Sequence, residues 1–96
     1  MTKGPVIPAL FGGTMEKNWK VYMLRCGDGS LYTGISTDVN RRLEAHRSGK
    51  GAKYTRGRSP LELVYVEECL DKSAALKREL EIKALSREEK LKLIQK

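Results

Sequence analysis

Two short apolar runs around a glycine turn constrain this chain's fold more than any other stretch. Trp19-Lys20-Val21-Tyr22-Met23-Leu24 is aromatic, β-branched and apolar, and that character resumes from Leu31 to Ile35 after Cys26-Gly27-Asp28-Gly29-Ser30. Such runs on either side of a glycine-rich turn read as a β-hairpin. The length of the turn decides what the hairpin presents. A two-residue Asp28-Gly29 loop puts Tyr22 and Tyr32 on opposite faces. A three-residue loop, Gly27-Asp28-Gly29 with Gly29 left-handed, pairs Cys26 with Ser30 and Leu24 with Tyr32. The tyrosines are then diagonal neighbours on one face, roughly 7 to 8 Å apart at the backbone and within ring contact. A shared tyrosine site requires the three-residue turn.

Ser36 or Thr37 can cap a helix that starts near Asp38, an acid suited to the first turn, and Gly49 ends it. Val39 and Leu43 form its apolar stripe, while Arg42 and His46, at i and i+4, project together from an adjacent strip. A histidine beside such a stripe serves either as a satisfied structural group or as part of a site. Further on, Pro60 precedes a third strand, Leu61 to Glu68, reached through a helical crossover. Asp71 starts a second helix running to about Leu85, and Ser86 with Glu89 forms a capping box for a last short helix ending near Ile94. The order ββαβαα predicts an α+β fold, a small three-stranded, mainly antiparallel sheet flanked by helices. Residues 1–17, with Gly4, Pro5, Pro8, Gly12 and Gly13, show neither period and read as a flexible leader or cloning remnant outside a domain of residues 18–96.

Ninety-six residues with 40% hydrophobic content support one modest core. No run approaches the roughly 20 apolar residues of a membrane span, and no signal-peptide pattern opens the chain, so a cytoplasmic location is expected. Cys26 and Cys69 lack CxxC spacing and read as buried free thiols. The net charge of +7 points to a polyanionic partner. Its distribution is uneven, because Arg41, Arg42, Arg47, Lys50, Lys53, Arg56 and Arg58 face only Glu44 across that segment. In the glycine-bearing loop from Gly49 to Arg58 the backbone can approach a phosphate closely. Arg41, Arg47, Lys50, Lys53, Tyr54, Arg56 and Arg58 are therefore expected to contact nucleic acid. An anionic membrane fits less well, since no apolar face accompanies these cations.

Most charges of the second helix, Lys72, Lys77, Arg78 and Glu81, belong to a solvated face. Glu79 does not, because Ala75, Leu76, Ile82 and Lys83 are its helical neighbours and place it on or beside the buried stripe. A carboxylate there needs a partner. That partner is either Lys83 at i+4 or a hard divalent metal ion held together with waters and substrate phosphate.

Taken in order, Lys20-Val21-Tyr22, Tyr32-Thr33-Gly34, Arg42, His46 and Glu79 resemble the GIY-YIG nuclease domain, in its small stand-alone branch, over about Trp19 to Ile94. The first triplet departs from the family name at two positions that supply strand backbone. The resemblance implies an endonuclease that hydrolyses DNA phosphodiester bonds with one divalent cation, Mg²⁺ or Mn²⁺. It implies Tyr22 as general base, Arg42 as phosphate clamp and Glu79 as metal ligand, with Tyr32 and His46 orienting and sharing protons. A free tyrosine, with a pKa near 10, is a poor base at neutral pH, so its surroundings must favour the phenolate or take its proton onward. The alternative is a binding module that keeps the fold and basic loop with little or no activity. DNA is the expected partner and RNA stays open. A domain this small is expected to borrow specificity from a partner protein or a homodimer.

Overall fold

The hairpin closes through the three-residue turn. In the computed structural model, which describes residues 18–95, the Cys26 amide donates to Ser30 O at 2.9 Å and Gly29 has φ +85°. The expected leader, residues 1–17, lies outside the described residues. Strands β1 (Trp19–Arg25) and β2 (Leu31–Ser36) pair antiparallel, with Leu24 opposite Tyr32 and Tyr22 opposite Gly34. A two-residue turn would have shifted the register by one and sent every side chain of one strand to the other face.

Helix α1 (Val39–Arg47) and a long loop with one 3₁₀ turn (Lys53–Thr55) carry the chain to β3 (Glu62–Cys69). There β3 pairs antiparallel with the free edge of β1. Helices α2 (Lys72–Lys83) and α3 (Arg87–Ile94) follow, and the strand order is β2-β1-β3. This is the expected ββαβαα arrangement, with every strand pair antiparallel.

The central position of β1 explains its unbroken apolar run. Tyr22, Leu24 and Cys26 pack on one face with Val39 and Leu43 of α1 and with Leu61. Val21 and Met23 pack on the other with Ala75 and Ile82 of α2. A strand covered on both faces has no reason to alternate apolar with polar residues.

Some local expectations are corrected. Asp38 is itself the N-cap of α1, its Oδ1 accepting from the Arg41 amide at 3.1 Å, and the first turn contains no acid. Ser36 instead accepts from the Asp38 amide at 2.9 Å, one step before the helix. Arg78 does not belong to a solvated face, because its Nε reaches both carboxylate oxygens of Glu67 on β3 at 3.1 Å. Cys26 is buried, but Cys69 is only partly so; both are free thiols. The Ser86–Glu89 capping box forms with both of its bonds, at 2.9 and 3.1 Å. No helix among the described residues is long and apolar enough to cross a membrane.

Candidate active site

Register puts the tyrosines together, and a glycine makes room for them. The Tyr22 and Tyr32 rings lie 6.3 Å apart, centroid to centroid. Gly34 sits opposite Tyr22 on β2, where a Cβ would stand 2.7 Å from the Tyr22 hydroxyl oxygen. Only hydrogen at that position lets the phenol lie across the strand. From α1, His46 completes the cluster: its Nε2 is 2.9 Å from Tyr22 Oη, and its ring meets Tyr32 edge-on at 5.1 Å. Tyr22 is 1% exposed and His46 2%, so both polar groups belong to the core and must satisfy each other.

The local electrostatics follow from that burial. Loss of solvent, reinforced by Tyr32, pushes the Tyr22 phenol up to about 12, while the nearby Arg42 guanidinium opposes the shift and Glu79 adds to it. Burial, followed by the Arg42 charge, holds the His46 imidazole below its ordinary value. At neutral pH the site therefore contains a phenol, a neutral imidazole and one guanidinium. Arg42, together with Arg41, also lines a surface cavity of about 230 Å³ formed with Ser36, Thr37, Asp38 and Ala45.

Glu79 lies on α2, the helix that covers the opposite face of the sheet, yet its charge is felt at Tyr22. Its carboxylate pairs with Lys83 Nζ at 3.1 Å, and the Glu79 side chain is 16% exposed against 50% for Lys83. The i+4 lysine is thus within ion-pair reach of this carboxylate. Among the described residues no group of three His, Cys, Asp or Glu side chains could hold a metal ion. Glu79 suits only a hard ion that takes one carboxylate and completes its shell with water and phosphate.

The structure divides the basic residues into two groups. Arg58 forms an ion pair with Asp28 in the hairpin turn, its carbonyl accepts from the Gly27 amide at 2.6 Å, and its guanidinium lies 4.3 Å over the Tyr54 ring. Tyr54 in turn packs on Tyr32 at 5.7 Å. Arg47 donates to Leu61 O at 3.1 Å and pairs with Glu44. These three residues tie the loop down over the site. Arg41, Lys50, Lys53 and Arg56 are exposed and make no ion pair among the described residues.

Thr55 escaped the sequence reading. It is 2% exposed, and its hydroxyl oxygen lies 2.9 Å from His46 Nδ1. Between Tyr54 and Arg56 nothing but its place in the loop marks it, because charge and glycine content were the only signals that segment offered.

The family model of the GIY-YIG catalytic domain matches residues 18–92. The chain belongs to the GIY-YIG family. Its similarity to individual proteins covers most of the chain. A UPF0213 protein of Staphylococcus epidermidis is 58% identical over 81 residues, covering 84% of this chain and 98% of that one. A UPF0213 protein of Oceanobacillus iheyensis is 53% identical over 81 residues, 84% of this chain and 94% of its own. Among solved structures, the solution NMR structure of a UPF0213 protein of Bacillus halodurans is 52% identical with TM-score 0.53, covering 81% of this chain and 83% of that one. A solution NMR structure from E. faecalis is 38% identical with TM-score 0.56, covering 81% and 84%. This GIY-YIG domain is thus nuclease-like in class, and its relatives are small single-domain proteins.

Proposed function

We propose that this GIY-YIG protein is a divalent-metal-dependent endonuclease that hydrolyses DNA phosphodiester bonds. The observation carrying this reading is the pairing of the Tyr22 hydroxyl with His46 Nε2 at 2.9 Å, with Arg42 acting on both groups. A phenol kept only for packing needs no cation beside it. In the proposed reaction the Tyr22 phenol passes its proton to His46 Nε2, 2.9 Å away, as its oxygen takes the proton of the attacking water. The water oxygen bonds to phosphorus, the bond to the leaving sugar oxygen breaks, and that oxygen takes a proton from solvent to leave as a hydroxyl. Arg42 holds the scissile phosphate and offsets its charge, a role worth about 10²–10³ in turnover for a single well-placed donor. Tyr32 and His46 keep the phenol in position. Glu79 would hold the cation, Mg²⁺ or Mn²⁺, which supplies Lewis-acid stabilisation of the displaced phosphate. Arg41, Lys50, Lys53 and Arg56 hold the flanking backbone, and a partner protein or a second copy supplies specificity.

A second reading has its own support. The Lys83–Glu79 pair occupies the carboxylate, and a phenol pushed up to about 12 is a weak source of base, as expected of a binding module with little activity. Cleavage of labelled single-stranded, duplex, nicked and branched DNA, with Mg²⁺, Mn²⁺ or chelator, separates the two. Metal-dependent cutting that Tyr22→Phe and Glu79→Ala both abolish is expected. Salt-sensitive binding by all three proteins without cutting refutes the nuclease reading.

A further inference from the structure

We propose that Asp28, in the turn between β1 and β2, is a positioning residue of the active site: it holds Arg58 against Tyr54 and, through Tyr54, keeps Tyr32 beside Tyr22 and His46. The three-residue turn sets the Asp28 carboxylate over the Ser30 amide. Its Oδ1 accepts from that amide at 3.0 Å and from the Ser30 hydroxyl at 2.6 Å. Both bonds are local, and they leave Oδ2 to the Arg58 guanidinium, thirty residues along the chain. The same guanidinium lies 3.5 Å from Ser30 Oγ. Exposed ion pairs usually give back their Coulomb gain in lost side-chain freedom. A carboxylate already fixed by its own turn has less freedom left to lose.

The backbone joins the same two segments. Gly27 N donates to Arg58 O at 2.6 Å, and a Cβ on Gly27 would stand 2.1 Å from Ser59 O, so the turn meets the end of the loop with no room for a side chain. Arg58 is thereby held at its carbonyl and at its guanidinium, and the guanidinium stays 4.3 Å over the Tyr54 ring, where a cation is attracted to the π face. Tyr54 is 42% exposed, so burial alone does not fix its ring. It packs on Tyr32 at 5.7 Å, and Tyr32 meets His46 at 5.1 Å and Tyr22 at 6.3 Å. Asp28 acts only through this row of contacts. The inference rests on the reading of Tyr22 as base, since a base whose neighbours shift loses the geometry that proton transfer requires.

Asp28→Asn keeps an oxygen for the Ser30 amide and removes the charge that faces Arg58. In the full-length protein it should speed amide exchange about 3- to 10-fold at Gly27, whose acceptor is Arg58 O, and at Arg56 and Arg58 in the loop. The ring protons of Tyr54 and Tyr32 should shift with it. Arg58→Gln should do the same, whereas Arg58→Lys, which keeps a cation for both partners, should restore most of the wild-type behaviour. Unchanged exchange, or unchanged Tyr32 ring shifts, overturns the proposal. On a DNA substrate that wild type cuts, Asp28→Asn should lower kcat about 3- to 10-fold with no rise in KM. An unchanged kcat, or a raised KM with kcat intact, also overturns it. If Asp28→Asn does not fold, Arg58→Gln leaves the turn untouched and carries the exchange and ring-shift readings. Neither of those needs cleavage, so a wild type that cuts no DNA sinks the nuclease reading while they still decide whether Asp28 holds Tyr32.

Discussion

Replacing Gly34 by alanine tests the packing of the site while leaving every polar group in place. In an ordinary strand this change is favourable by about 0.5–1 kcal/mol, since glycine loses more backbone freedom on folding. Gly34 is not among the glycines with positive φ, so no backbone strain enters. The added Cβ, however, meets Tyr22 Oη at 2.7 Å, Tyr22 Cζ at 2.9 Å and Tyr32 Cε2 at 3.1 Å, against the 3.4 Å where ordinary contact begins. Tyr22 must retreat by about 0.7 Å, the difference between the first and last of those distances. A shift of that size degrades its 2.9 Å bond to His46.

Overpacking costs about 1–3 kcal/mol and the lost bond about 0.5–1.5 kcal/mol. After the backbone gain, a net destabilisation of about 1–3 kcal/mol is expected, and each kcal/mol lowers Tm by about 4–8 °C in a domain this small. Urea unfolding followed by the single tryptophan, Trp19, measures it. The double variant with Tyr22→Phe adds a sharper test. Removing the hydroxyl deletes the nearest contact but leaves Cζ at 2.9 Å, so the two changes should couple by about 1 kcal/mol rather than add. A neutral or stabilising Gly34→Ala, or strict additivity in the double variant, refutes the steric account of this glycine.

Four further outcomes are expected. Because the folded Tyr22 phenol titrates near 12, above its ordinary 10, its contribution is whole below pH 10 and disappears as pH rises to about 12. Wild type should therefore lose about 2–3 kcal/mol over that window relative to Tyr22→Phe, read by urea titrations at each pH. Glu79→Gln breaks an ion pair with a half-exposed lysine, so stability should change by less than about 1 kcal/mol while metal-dependent cleavage disappears. Arg42→Ala should lower kcat by about 10²–10³ with a much smaller loss in DNA affinity; equal losses in both would count against the clamp. With Arg47 and Arg58 held by intramolecular partners, five of the seven segment cations remain for phosphates, so log-affinity against log-salt should slope no more steeply than about −4.5.

Features written in neighbouring residues were legible before the fold was known. The apolar runs and their glycine turn specify a hairpin, Asp71 and the Ser86–Glu89 pair specify two helix starts, and the i to i+4 spacing of Arg42 and His46 holds on α1. The cap of α1 was read one or two residues early because Ser36, Thr37 and Asp38 are all good capping residues. Only the backbone conformation at Asp38, with φ −139° and ψ 90°, selects among them.

The sequence by itself determined the element order, the core stripes and the residue types of the candidate site, because turn chemistry, capping and periodicity act between residues close along the chain. Only the tertiary structure decided how those residues are used. It selected the three-residue turn, brought Thr55 and the Ala52 amide against His46, drew Arg58 to Asp28 and Arg78 to Glu67, and paired Glu79 with Lys83. Most of these contacts join residues far apart in sequence and carry no period. For the buried His46 and Thr55 the cause is the need of polar groups without water for partners, and for the more exposed ion pairs it is the approach of opposite charges, and both have an answer only once the sheet, the helices and the loop are packed together.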